Sequence, residues 1–208
     1  MTERGMIFNS EMVRAILDGR KTQTRRPIKF PFKDRNLGCE LSGNELAGEL
    51  SAGNYLNSPF GKPSDRIWVR ETFQGPLFDF DQMDAYCKDS TPFEKAQFCV
   101  YKADGKPAPE FFDADDNLHC CWRPSIHMPR WASRITLEIT DVRVERLNAI
   151  TESDTEAEGI TDTGFGDLLV DGYRYLWKSI YGDDSWQVNP WVWVIEFKRI
   201  GGDDHATD

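Results

Sequence analysis

Apolar positions recur at two periods along this chain, and the switches between them mark its elements. Met12, Val13, Ile16 and Leu17 share one face at helical spacing, with Ser10 placed as N-cap and Gly19 as the residue that ends the helix. This predicts a short helix, followed by loop or extended chain over residues 20–26, because Pro27 disfavours helix just before it. Residues 31–63 hold no sustained period and are rich in Gly, Asn, Ser and Pro, which predicts a long loop. From Arg66 to Phe73 the period is two: Ile67, Val69, Glu71 and Phe73 share one face, and Arg66, Trp68, Arg70 and Thr72 the other. Residues 74–96 are mixed and irregular, and Gln97–Ala103 is a weaker strand. Pro107, Pro109, Pro124 and Pro129 make residues 104–130 largely loop.

Alternation returns at Ser133–Val144, where Ile135, Leu137 and Ile139 give way to Val142 and Val144, a change of phase that predicts a bulge near Asp141. Thr151 followed by Asp154 reads as a capping box opening a short helix that Glu158-Gly159 closes. Phe165, Leu168, Leu169, Tyr173, Leu176, Trp177 and Ile180 form an amphipathic helix, and Trp191, Trp193, Ile195 and Phe197 mark a last strand. Short helices scattered among strands, without a repeating βαβ unit, favour a small antiparallel or mixed barrel over a doubly wound fold.

Length and composition narrow the class. A chain of 208 residues with 39% hydrophobic and 29% charged residues fits a single globular domain, read here as residues 1–208. No run approaches the length of a membrane span, and Met6-Ile7-Phe8 is too short for a secretory core, so a cytoplasmic protein without membrane partners is expected. The five cysteines, Cys39, Cys87, Cys99, Cys120 and Cys121, make no C-x-x-C pair; free thiols, no metal and no cofactor are expected.

Charge adds the most informative feature. With 25 Lys+Arg against 35 Asp+Glu the formal net charge is -10, yet Arg20, Lys21, Arg25 and Arg26 crowd into seven residues together with Thr22 and Thr24. The global charge argues against tight non-specific binding to duplex DNA. A local cationic spot on such a chain suits a nucleotide or a short RNA segment. Solvated surface and a cation after a helix end are the plain alternatives.

Four segments, taken in order, resemble the ASCH-domain family, whose barrel is similar to the PUA RNA-binding fold. They are Ile16-Leu17-Asp18-Gly19-Arg20-Lys21-Thr22-Gln23-Thr24-Arg25-Arg26, Ser64 to Phe73, Glu156-Ala157-Glu158-Gly159-Ile160, and Trp191 to Phe197. The resemblance implies an α+β fold, a PUA-like small β-barrel with peripheral helices. Its core covers roughly residues 6–30, 61–73 and 131–200, with long insertions at 31–60 and 74–130. Trp122 to Trp131 looks like a feature of longer, prophage-encoded members, which implies a phage protein partner as an alternative role.

Some small members are amidohydrolases that deacetylate N4-acetylcytidine with a lysine, a threonine and a glutamate. The matching positions are Lys21, Thr24 and Glu158, expected to converge in one cleft, with Arg20, Arg25, Arg26, Trp68, Arg70 and Glu71 as ligand-binding residues. Amide hydrolysis needs a nucleophile, a proton acceptor and support for the oxyanion. A neutral lysine touching a threonine hydroxyl could take its proton, and a carboxylate could serve the leaving amine. Each residue also has an ordinary reading: a helix-end cation, a turn hydroxyl, a surface acid, a packing tryptophan, a cross-strand pair.

Overall fold

The computed structural model describes residues 1–113, 117–161 and 169–201. In chain order the first half comprises β1 (Glu3–Ile7), α1 (Ser10–Leu17), β2 (Gln23–Pro27), β3 (Phe32–Lys33), β4 (Glu40–Leu41), α2 (Gly43–Ser51), β5 (Arg66–Arg70) and β6 (Phe73–Gln74). There follow α3 (Met83–Lys88), β7 (Val100–Tyr101), β8 (Glu110–Phe112), β9 (Leu118–Cys120), β10 (Thr136–Arg146), α4 (Glu152–Ala157), α5 (Leu169–Tyr181) and β11 (Trp191–Ile200). Single turns of 3₁₀ helix punctuate the connections.

The fold is mixed α+β. Five strands form one sheet in the order β1-β5-β10-β11-β2, and β3-β4, β6-β7 and β8-β9 are separate two-stranded pairs. The five-stranded order is open at β1 and β2 among the described residues, so the sheet seen is not a closed barrel. No helix among the described residues is long and apolar enough to cross a membrane.

The chain divides into two compact units. Among the described residues, the first holds those of 1–2, 15–66 and 138–199, and the second those of 3–14, 67–137 and 200–201. In the first unit α5 packs Tyr173 and Trp177 with Leu147, Ile150, Val192 and Val194. In the second, Phe73, Tyr101, Met128 and Ala132 make the core.

Several elements follow the hydrophobic pattern. Ile67, Val69, Glu71 and Phe73 are all buried, as their shared face requires. Along β10 the buried positions move from Leu137 and Ile139 to Val142 and Val144, the change of phase read in the sequence. The Thr151–Asp154 capping box of α4 is formed in both directions. Gly19 takes a left-handed φ of 75°, which only glycine adopts without steric cost, and its N–H donates to the Ile16 carbonyl to close α1.

Other readings need correction. Asn9, not Ser10, caps α1: its side-chain oxygen accepts from the Met12 N–H at 2.8 Å. Residues 31–63 are not one loop but carry β3, β4 and α2. That helix has its own capping box, Ser42 with Glu45, and buries Leu46 and Leu50 one turn apart. The helix α3 lies in the stretch read as irregular, and β8 and β9 in the stretch read as loop. The strand expected over 97–103 shrinks to Val100–Tyr101. In the amphipathic helix, Phe165 and Leu168 fall outside the described residues and Ile180 is exposed.

Candidate functional site

The cationic loop is seated by backbone before its side chains act. Past Gly19 the N–H groups of Arg20 and Lys21 both donate to the Ala15 carbonyl at 2.9 Å, which turns the chain sharply off α1. The Thr22 N–H then donates to the Ala157 carbonyl at 2.8 Å, and Lys21 makes an isolated antiparallel bridge with Glu158. Gly159 permits this approach, because a Cβ there would meet the Ala15 and Lys21 Cβ atoms at 2.9 and 3.0 Å. The bend after α1 and the end of α4 are thereby clamped together.

Lys21 and Glu158 meet inside this clamp. The Lys21 Nζ donates to Glu158 Oε2 at 2.7 Å and to the Glu158 backbone carbonyl at 2.9 Å. Their side chains are 0% and 2% exposed. Glu158 is the C-cap of α4, so the ammonium also sits at that helix's negative end. Burial pushes the Lys21 pKa below its ordinary 10.5, against the pull of Glu158 and helped by Arg26 and Arg25.

Arg25 extends the site along β2. Its Nη1 donates to Gln23 Oε1 at 2.5 Å and to Glu158 Oε1 at 3.3 Å, and its Nη2 lies 3.3 Å from Asp154 and 3.5 Å from Glu145. The Arg25 side chain is fully buried, yet Nε and Nη2 have no hydrogen-bond partner. The Gln23 amide donates to Asp154 Oδ1 at 3.1 Å and Glu196 Oε1 at 3.3 Å. Arg143 closes the far side by pairing with Glu145, Glu196 and Asp154. Asp154 is held below the usual carboxylate range: burial opposes this, but the Thr151 hydrogen bonds and the charges of Arg25 and Arg143 outweigh it. Tyr173 of α5 is buried beside these charges, and burial first, then Glu158, lifts its phenol well above the ordinary value.

The strand alternation decides which expected residues gather. Gln23 and Arg25 point to the Glu158 side, so Thr24 between them faces the opposite side of β2, where it is buried opposite Ile195. No direct hydrogen bond joins the Lys21 amine and the Thr24 hydroxyl among the described residues. Lys21, Arg25 and Glu158 are brought together; Thr24 is adjacent in sequence but not in contact. Arg26 contributes charge to Lys21. Arg20 is half exposed, donating to the Gly159 carbonyl at 3.1 Å and pairing with Asp18 at 2.9 Å.

Trp68, Arg70 and Glu71 belong to the second unit and are engaged there. Glu71 is buried and accepts two hydrogen bonds from Arg134 at 3.0 and 3.1 Å. Burial raises its pKa in spite of that partner. The Arg70 guanidinium donates to the Ile126 carbonyl and lies over the Trp68 ring, 5.4 Å from its centroid.

Sequence reasoning missed Gln23, Arg143, Glu145, Asp154 and Glu196 as members of the site. Gln23 had a usable signal, since it shares strand parity with Arg25. The five cysteines are free, and no group of three or more metal-ligating side chains occurs among the described residues.

No family model matches the chain, and no curated protein matches it. Among solved structures it is similar to a protein of Enterococcus faecalis V583 described as DUF984, at 11% identity and TM-score 0.41, covering 100% of this chain and 86% of that one. It is likewise similar to an ASCH domain from Lactobacillus crispatus JV V101, at 10% identity and TM-score 0.41, covering 95% of this chain and 79% of that one. The chain resembles ASCH domains in its sequence motifs, and an ASCH domain is among the solved structures it is similar to.

Proposed function

We propose that this protein is an ASCH-type, PUA-like module that binds a modified nucleoside or a short RNA segment at the Lys21–Glu158 clamp. Its most specific activity would be removal of an acyl group from N4-acylated cytidine. The observation that carries this reading is the buried Lys21–Glu158 pair flanked by the fully buried guanidinium of Arg25. Burying such charges costs stability that well-packed apolar residues would not, so their retention points to a use. The motif Gly19-Arg20-Lys21-Thr22-Gln23-Thr24 and the Glu158 position add the resemblance to deacetylating relatives.

In the hydrolytic form, the Thr24 hydroxyl oxygen attacks the acyl carbon and its proton passes to a neutral Lys21 amine. The lowered pKa of Lys21 favours that neutral form. The N4 amine then leaves with a proton delivered through Glu158, and water hydrolyses the acyl-threonine ester. Thr24 faces the other side of β2 from Lys21, so this step would require the β2 backbone to turn the hydroxyl toward the amine as ligand enters.

Incubation of the purified protein with N4-acetylcytidine, followed by chromatography for cytidine, tests this chemistry. Product formed by the wild type and lost in Thr24→Val supports hydrolysis. Saturable binding without product leaves the binding module alone, and neither turnover nor binding removes the nucleoside reading.

A further inference from the structure

The second unit carries a separate concentration of aromatic side chains that the proposed nucleoside site does not use. Phe78 packs on Tyr86 and Phe93, each with ring centroids 4.7 Å away, so three aromatic rings form a base here. Across from this base, the β8–β9 hairpin presents Phe111, stacked on His119 at 5.4 Å and 21° between ring planes. His119 is itself held by Asp113 at 2.8 Å.

Between these two groups lies a cavity of about 350 Å³, lined in part by Phe78, Phe80, Phe111 and Phe112 together with Asp79 and Glu110. No lysine or arginine is among its lining residues. Phe80 and Phe112 are 77% and 60% exposed, which leaves large apolar rings in water without cover.

Ring faces and carboxylates have the same electrostatic sign. An aromatic face carries partial negative charge and attracts a cation above it. Two carboxylates at the wall of an apolar cavity would repel an anion and give a neutral apolar guest nothing to pair with. A metal ion would need ligands that this cavity lacks, since no cluster of three or more such groups occurs among the described residues. The guest that satisfies both rings and acids is a cation whose charge is wrapped in carbon. The volume lies at the small end of the range of small-molecule sites, roughly 300–1,000 Å³, so a small molecule suits it better than a folded partner.

We propose that this cavity is a binding site for a small organic ammonium ion, most simply a methylated amine, held by the faces of Phe78, Phe80, Phe111 and Phe112 and by the charges of Asp79 and Glu110. The site is independent of the Lys21–Glu158 clamp and stands or falls without it.

Calorimetric titration of the full chain with choline chloride tests it, beside an uncharged isostere in which a tert-butyl group replaces the trimethylammonium. Choline should bind saturably and about tenfold or more tighter than the isostere. Phe112→Ala and the pair Asp79→Asn with Glu110→Gln should each weaken choline binding by about tenfold, with unchanged far-ultraviolet circular dichroism. These positions are exposed, so loss of the fold does not stand in for loss of the site. Equal affinity for choline and the isostere, no saturable choline binding, or binding indifferent to both variants would overturn the proposal.

Discussion

Lys21 is a cation sealed away from water with one carboxylate and one carbonyl for company, so its cost depends on its partner. Lys21→Met leaves Glu158 with only the longer contact to Arg25, and Glu158→Gln leaves a buried ammonium facing a neutral amide. Each single change should destabilise the protein by about 3 kcal/mol, whereas the double variant Lys21→Met with Glu158→Gln should cost far less than their sum. Urea unfolding of the four proteins measures this, and additive losses would mean that the two groups are not coupled. Asp154 allows a second test. Its folded pKa lies below the unfolded value of 3.8, so its stabilising contribution is complete above pH 3.8 and disappears as pH falls through the lower folded value. Asp154→Asn should cost about 1 kcal/mol near neutrality through the weakened cap of α4, and the gap to wild type should narrow only below pH 3.8. A gap that instead widened on acidification would contradict the assignment of Arg25 and Arg143 as its partners.

At the scale of elements, legibility followed how many residues declare the same period. Four buried residues along β10 and the four-residue alternation from Ile67 to Phe73 were readable because each repeats its period over a long run. The helix α2 was not, because its apolar signal is only Leu46 and Leu50 inside a stretch rich in Gly, Asn and Ser. Its Ser42-x-x-Glu45 start was the available clue. What secures α2 is tertiary: Gly43 in its first turn lies so close under the Trp191 ring of β11 that any Cβ would enter the ring's own volume. Gly43→Ala should therefore cost about 2 kcal/mol despite alanine's better helix propensity, read as a lower urea midpoint at unchanged slope. An unchanged or raised midpoint would show that Trp191 moves aside freely. The site suffered from the opposite problem. Lys21, Arg25 and Glu158 were legible from the motif, but the acids that answer Arg25 and Arg143 sit on β10, α4 and β11, far from β2 in sequence and without a shared pattern.

For the molecule as a whole, charge and clamp work against each other in a useful way. A chain of net charge -10 repels nucleic acid in general. On the proposed reading, recognition would come from a few placed groups where the bend after α1 meets the end of α4. Mixed α+β architecture was readable from the alternation of short helices and strands, while closure of the sheet was not, because strand order depends on partners distant in the chain. The central claim is that the Lys21–Glu158 clamp holds a nucleoside. The most direct measurement is calorimetric titration of cytidine into the wild type and into the Lys21→Met, Glu158→Gln double variant, which removes both buried charges together and so should keep its fold. Saturable binding by the wild type, weakened by about tenfold or more in the double variant, is the predicted result, equivalent to about 1.4 kcal/mol or more. Equal affinity in the two proteins, or no binding by the wild type, would contradict it.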